Sequence, residues 1–213
     1  MARGRDRVIT PGVWEASRAA GIVSLLLFSV AVALGIVTTQ RYKSRWWPAF
    51  VSQDLHRNVS LLAVSFLAIH IVTILNDKFV RLGTLVPFTS PFRPVWVGLG
   101  LISTYLLAAV VITSLLRRWL PFSAWRGLHW LTYPAWLLAV VHGAGTGSDA
   151  RTSWAILLTA ACVGLVVACA CARIAGTERW SVVRRLSFGA GALVLTLALG
   201  AWWLAGPLKP GWS

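Results

Sequence analysis

Histidine is rare in this chain, and its four copies form two spaced pairs. His56 and His70 are fourteen residues apart in one apolar segment, and His129 and His142 are thirteen apart in another. At a rise of about 1.5 Å per residue, the two histidines of each pair are roughly 20 Å apart along a helix, in a hydrocarbon core that is about 30 Å thick. Imidazole is costly in hydrocarbon, so a histidine there is a functional candidate. One histidine from each segment could bind an iron at each of two depths, as two haems require.

Helical geometry supports this pairing unequally in the two segments. Fourteen steps leave His56 and His70 about 40° apart on one face, whereas thirteen steps put His129 and His142 about 220° apart on an ideal helix. Pro134 lies between the latter two and can kink or overwind the helix, which we expect to correct the mismatch. Hydrogen bonding between helices is the alternative role, but four paired histidines with none elsewhere favour haem ligation. Two imidazoles on one iron suit electron transfer.

The composition is that of an integral membrane protein. The chain is 57% hydrophobic and 12% charged, with a mean hydropathy of +0.72, outside the range of soluble domains. Apolar runs close to the length of a spanning helix predict six helices, at Ala19–Thr39, Leu55–Leu75, Val95–Leu116, Leu128–Ala144, Ser153–Ala172 and Leu186–Ala205. We therefore expect an all-α, integral membrane six-helix bundle binding two b-type haems over residues 19–205, with an N-terminal segment at 1–18 and a C-terminal tail at 206–213.

The net charge of +14 predicts contact with lipid head groups rather than with nucleic acid, because the basic residues are scattered over every loop. The loops that follow the first, third and fifth predicted helices, here called the odd loops, carry 11 Lys and Arg residues. The two termini and the loops that follow the second and fourth predicted helices carry 9. By the positive-inside rule this slim excess places the odd loops in the cytoplasm. We expect a multi-pass protein of the plasma membrane with external N- and C-termini.

Cationic and aromatic side chains accompany the histidines. Arg57 and Arg126 lie close in sequence to one histidine of each segment, and Arg93 lies near the other predicted depth. Guanidinium groups suit haem propionates, although plain interfacial charges are the alternative. Trp136 falls between the two histidines of its segment and could stand between two macrocycles, or could simply pack. The cysteines lack the CxxCH spacing of covalent haem attachment, so haem would be held non-covalently: Cys162, Cys169 and Cys171.

These features resemble a known family. Besides the histidine spacing, the matching phrases are Asp54-Leu-His-Arg57, Leu85-Val-Pro-Phe-Thr-Ser-Pro-Phe-Arg-Pro94, Thr113-Ser-Leu-Leu-Arg-Arg118, Trp125-Arg-Gly-Leu-His-Trp-Leu-Thr-Tyr-Pro134 and Val141-His-Gly143. Over about residues 15–175 the chain resembles the ferric reductase-like transmembrane domain, shared by bacterial ferric reductase-like proteins, the haem subunit of the periplasmic methionine sulfoxide reductase, eukaryotic ferric reductases and NADPH oxidases. The resemblance implies inner haem ligands His56 and His129 and outer haem ligands His70 and His142.

The resemblance also implies a function: a transmembrane di-haem b protein that moves electrons from a separate donor, a flavoprotein or quinol, to an external acceptor. Relatives that oxidise NAD(P)H carry a flavin and nucleotide-binding region. Gly143-Ala-Gly-Thr-Gly147 lacks the strand and spacing of such a site, so we expect this chain to need its donor, docking near Arg117, Arg118 and Arg126. No catalytic side chain is evident. The alternatives are a reductase acting directly on ferric complexes or oxygen at the outer haem, and a haem-free scaffold or transporter subunit.

Overall fold

The structure is a computed structural model that describes residues 11–39, 49–76, 86–90, 92–175 and 200–201. Within those ranges all regular structure is helical. The helices are α1 (Pro11–Thr39), α2 (Ala49–Asn76), α3 (Pro94–Leu115), α4 (Phe122–His129), α5 (Thr132–Thr146) and α6 (Ser153–Ala175), with a 3₁₀ turn at Arg117–Trp119. The all-α class is therefore confirmed for the described part of the chain.

Four of these helices are long and apolar enough to cross a membrane, namely α1, α2, α3 and α6. Large apolar side chains stay exposed along them, including Leu62 at 51%, Val72 at 56% and Leu157 at 69%. Exposure to water would be unfavourable for these groups, whereas lipid tails accommodate them. The protein is thus a multi-pass helical membrane protein.

The observed helices extend or match the predicted apolar segments. α1 begins at Pro11 rather than Ala19, and α2 begins at Ala49 rather than Leu55. Proline suits a first helical turn, and a helix can continue past the hydrocarbon edge where hydropathy falls, which is why an apolar window misses these starts. α3 and α6 lie within a few residues of prediction. Leu186–Ala205 lies outside the described residues except for 200–201, so the count of six spanning helices stays a prediction.

The fourth predicted segment is two helices rather than one. Pro134 has no N–H, so the carbonyl of Trp130 lacks its usual donor four residues later. That carbonyl instead accepts a hydrogen bond from the amide of Tyr133 at 3.2 Å, and the amide of Leu131 bonds to Leu128 at 3.0 Å. Both bonds close three-residue turns, which are tighter than α-helical ones. The overwinding expected near Pro134 is present, and it leaves the two histidines of this segment in different helices.

Helix α1 is central, packing against α2, α5 and α6, while α3 packs against α5. Lipid tails are as apolar as the helices, so association depends on close packing and hydrogen bonds between helices. Ser24 donates to the carbonyl of Ala63 on α2 at 3.1 Å, and Ser103 donates to that of Ala135 on α5 at 2.7 Å. The buried cluster that these bonds flank comprises Phe28, Val32, Ile36, Ala63, Ala135, Trp136, Val140 and Val166.

Candidate functional site

The four histidines lie together in two pairs, each formed between different helices. The ring of His56 on α2 lies 6.3 Å from that of His129 at the end of α4, centroid to centroid, with an interplanar angle of 71°. The ring of His70 on α2 lies 6.4 Å from that of His142 on α5, at 75°. We call these the first level and the second level. Fourteen residues of α2 separate the levels by about 21 Å along its axis.

The spacing within each level fits one metal ion between the two rings. An imidazole nitrogen binds a metal at about 2.0 Å and lies roughly 1 Å from the ring centre, so two rings that face one ion through a nitrogen have centres about 6 Å apart. Both levels have this separation. A haem iron takes only axial ligands from the protein, because the macrocycle supplies the rest. Two facing imidazoles at each level therefore suit haem.

Hydrogen bonds fix the ring nitrogens of three of the histidines. In each case Nδ1 lies within hydrogen-bonding distance of a backbone carbonyl. The distance is 2.9 Å from His56 to the carbonyl of Ala31, 2.8 Å from His70 to that of Ser17, and 2.8 Å from His142 to that of Trp96. A carbonyl only accepts, so Nδ1 carries the hydrogen. In the neutral ring Nε2 then has the free lone pair that a metal requires. Each of these three rings is held in the tautomer of an Nε2 ligand.

A glycine stands four residues after each of these carbonyl acceptors. The pairs of acceptor residue and glycine are Ser17 and Gly21, Ala31 and Gly35, and Trp96 and Gly100. A Cβ added at the glycine would lie 2.9 Å from the His70 ring, 3.3 Å from the His56 ring and 2.5 Å from the His142 ring, respectively. Because the amide four residues on already bonds the same carbonyl, only glycine leaves room for a second donor beside it. Each glycine therefore makes a notch that seats one imidazole.

His129 is held differently from the other three histidines. Its ring stacks on Trp125, one helical turn earlier in α4, with centroids 5.1 Å apart and an interplanar angle of 26°. Its Nδ1 is inaccessible to solvent and has no hydrogen-bond partner among the described residues. The guanidinium of Arg117 lies over the same Trp125 ring at 4.6 Å. This ligand candidate is thus positioned by an aromatic stack, without a notch or a carbonyl.

The arginines singled out from the sequence lie at the ends of the bundle. Arg57 follows His56 on α2 and is exposed. Arg126 is also exposed, with its guanidinium 5.8 Å from the Phe122 ring. Arg93 is half-buried, adopts a left-handed conformation at φ 41° and donates to the carbonyl of Gly145, one turn after His142. Arg93 is therefore near the second level, as its sequence position suggested.

Trp136 is buried between the two levels along α5, with 7% of its surface exposed. Its Nε1 donates to the hydroxyl of Ser29 on α1 at 2.9 Å, and that hydroxyl donates to the carbonyl of Leu25 at 2.8 Å. This chain of hydrogen bonds satisfies a polar atom inside an apolar core, as burial requires. The indole is consequently fixed in orientation within the core cluster.

The notch glycines, the Trp125 stack and the Ser29 bond are not among the features predicted from the sequence. One signal for the glycines was available. Gly21 and Gly35 are fourteen residues apart, the same step as His56 and His70, and both pairs lie in apolar helices that a short connection makes antiparallel. Two matched periods in neighbouring helices indicate residues that meet at two heights. Nothing in the local sequence of α3 distinguishes Gly100 in the same way.

Together the fold and the paired imidazoles define a multi-pass helical membrane protein with two histidine pairs at two levels along the bundle. Residues 20–140, more than half of the 213-residue chain, match the family model for the ferric reductase like transmembrane component. The chain belongs to this family, which makes it a component of a membrane oxidoreductase. The matched range includes His56, His70 and His129 and ends just before His142. No curated protein and no solved structure matches the chain.

Proposed function

We propose that this chain is a transmembrane di-haem b electron-transfer protein, with His56 and His129 binding the inner haem and His70 and His142 the outer haem. The observation that carries the proposal is the two-level pairing of imidazoles at 6.3 and 6.4 Å. In three of the four rings Nδ1 is also bound to a carbonyl, which leaves Nε2 as the nitrogen available to a metal. A histidine used only to join helices would not need a second imidazole at this separation.

Haem would supply a one-electron couple at each level. Two histidines at each level would hold the haem for electron transfer rather than for substrate binding, so the chain's residues would hold and tune the couple. Carbonyl acceptors at Nδ1 increase the basicity of the ligating nitrogen. Arg57 and Arg126 at the first level and Arg93 at the second are the cations proposed to pair with propionates, since each guanidinium offers five N–H donors. Trp136, held by Ser29, is proposed to lie between the two macrocycles.

We further propose that the protein lies in the plasma membrane with its first level towards the cytoplasm and both termini external. The first level adjoins a basic and aromatic surface in which each guanidinium lies over a ring. Arg117 lies 4.6 Å from Trp125, Arg118 lies 4.9 Å from Trp119, and Arg126 lies 5.8 Å from Phe122. Such a surface suits lipid head groups and an acidic protein partner, and the electron donor would be a separate flavoprotein or quinol. The acceptor would be met outside, beyond the second level.

An absorption spectrum of the purified protein, with a haem assay, tests the proposal directly. We expect two b-type haems per chain, both reduced by dithionite and neither reduced by NADH or NADPH alone. Protein without haem would overturn the proposal in favour of a scaffold or transporter subunit. A single haem per chain would exclude the two-level arrangement. Rapid oxidation of the reduced protein by ferric chelates alone would show that the outer haem acts on iron directly.

A further inference from the structure

Helix α4 has no buried residue, so contacts other than core packing must hold it against the bundle. Three of its rings follow an i, i+3, i+7 spacing, which places them on one face of the helix: Phe122, Trp125 and His129. The centroids of the Phe122 and Trp125 rings are 5.8 Å apart, and those of Trp125 and His129 are 5.1 Å apart. The aromatic face of α4 therefore ends in a ligand candidate of the first level.

Arg117 connects this aromatic face to the end of α3. It is the first residue of the 3₁₀ turn that follows α3, and α4 packs against α3. Its guanidinium lies 4.6 Å from the centroid of the Trp125 ring and 5.9 Å from that of the Phe122 ring. A guanidinium within about 6 Å of a ring centroid is attracted to the negative face of that ring. Arg117 thus contacts two rings of α4, and His129 stacks on one of them.

The two neighbouring arginines are placed differently. Arg118 lies 4.9 Å from the Trp119 ring, and Trp119 is 71% exposed. Arg126 lies 5.8 Å from the Phe122 ring. In neither case is the ring the one on which His129 stacks. Arg117 therefore has a contact with the ligand candidate, through one indole, that the other two arginines of this surface lack.

The same contact brings a positive charge close to the first level. Since the distances from the Trp125 centroid are 4.6 and 5.1 Å, the guanidinium carbon lies within about 10 Å of the His129 ring centre, about one Debye length at 0.1 M salt. A positive charge at this range repels a further positive charge. It therefore favours the reduced form of an iron that His129 binds, because reduction removes one positive charge from that iron.

We propose that Arg117 is a positioning residue for His129, which it holds through Trp125, and that its charge raises the midpoint potential of the first-level haem. The second part rests on the proposed function, because it concerns bound haem. The first part requires only the contacts between the end of α3 and α4. It explains how a histidine on a helix without buried residues has nearly the same ring separation from its partner as the second level, 6.3 Å against 6.4 Å.

The test is a redox titration of the isolated haem protein carrying Arg117→Gln, with Arg118→Gln as the matched control. Both variants remove one positive charge from the same 3₁₀ turn, but only Arg117 lies over Trp125. We expect Arg117→Gln to lower the midpoint potential of one haem and to leave the other unchanged as an internal reference. Arg117→Lys, which keeps the charge, should retain most of the original potential. Unchanged potentials in Arg117→Gln, or an equal shift in Arg118→Gln, would overturn the proposal.

A second measurement tests the positioning role without haem. Protons above the face of an indole resonate upfield in NMR spectra. The carbon-bound ring protons of His129 should therefore be shifted upfield in haem-free protein, and they are assigned by their loss in His129→Gln. Trp125→Leu should abolish the upfield shift and Arg117→Gln should reduce it, whereas Trp125→Phe and Arg118→Gln should preserve most of it.

The two measurements separate this inference from the proposed function. An unaltered upfield shift in Arg117→Gln would overturn the positioning role, whether or not the protein binds haem. Protein that purifies without haem but shows the expected pattern of upfield shifts would instead refute the proposed function, and the positioning role of Arg117 would stand.

Discussion

The two histidine levels are alike on the α1–α2 side of the bundle and differ on the other side. His56 and His70 each donate to a carbonyl of α1 beside a notch glycine. On the opposite side, His142 repeats this arrangement on α3, whereas His129 stacks on Trp125 and has no carbonyl partner among the described residues. α5 has a buried face, while α4 has no buried residue. One histidine of the first level, His129, is therefore held by a short helix without buried residues.

Two kinds of contact can therefore hold a pair of imidazole rings in the same arrangement. Backbone carbonyls in notched helices are rigid, because helix packing fixes both the acceptor and the space beside it. Side-chain stacking on a short helix is more adjustable, because α4 packs mainly against α3 among the described helices and has no buried residue. Given the proposed function, the second level should be the more robust site and the first the more tunable one.

Replacing single histidines has the largest expected effect and separates the levels most sharply. His142→Ala should remove the second-level haem and leave the first, while His129→Ala should do the reverse, so each variant falls from two haems per chain to one. The reason is that the ligands of one level come from different helices, and α2 serves both. Haem content and the two midpoint potentials are the measurements. Loss of both haems from every single variant would refute independent levels.

Filling the notches comes next, and the structure orders the effects. Gly100→Ala should be the most harmful, Gly21→Ala next and Gly35→Ala mildest, because the added Cβ would lie 2.5, 2.9 and 3.3 Å from the respective rings. Overpacking typically costs about 1–3 kcal/mol, outweighing the gain of up to about 1 kcal/mol from replacing a helical glycine. Thermal unfolding and haem retention in detergent would measure the series.

Gly164→Ala on α6 is the matched control for the notch series, since a Cβ there meets nothing within 4 Å. It should be neutral or slightly stabilising. An effect of Gly164→Ala as large as that of Gly100→Ala would mean that the series reports general helix packing. Equal damage from Gly35→Ala and Gly100→Ala would show that the rings move aside, and that the notches do not set their positions.

Removing the polar contact between the levels should have a moderate effect on both. Trp136→Phe loses the bond to Ser29, whose hydroxyl still bonds the carbonyl of Leu25. Such a hydrogen bond contributes about 0.5–1.5 kcal/mol, so unfolding should shift modestly. Electron exchange between levels should slow if the indole lies on the path, as flash photolysis of the half-reduced protein would reveal. Ser103→Ala, which removes a bond to Ala135 elsewhere in the core, is the control.

The sequence was sufficient for the features that depend on composition and period. Apolar length predicted five spanning helices in the range that the structure describes, and four of them are long and apolar enough to cross a membrane. The spacing of His56 and His70 on one uninterrupted helix indicated two depths. The notch at Gly100 and the bond from Trp136 to Ser29 were not accessible, because each depends on how helices distant in the chain meet. A distortion of the helix near Pro134 was expected from the sequence. Its position depends on which backbone carbonyls accept three-residue-turn hydrogen bonds, and this was not predictable.

The smallest expected effect comes from the surface of the second level. Arg18, next to the acceptor Ser17 on α1, forms an ion pair with Asp149 in the turn after α5, and its guanidinium lies 4.3 Å from the Trp14 ring. Both ionic side chains are about one-third exposed, at 31% and 28%, so the pair should contribute less than about 1 kcal/mol. Asp149→Asn should therefore lower the unfolding temperature slightly in dilute buffer. The difference should vanish in about 1 M salt, where charges are screened beyond about 3 Å. A larger fall in unfolding temperature that salt did not abolish would mean that this surface ion pair stabilises the second level. The difference between the two levels would then not be explained by the notch glycines.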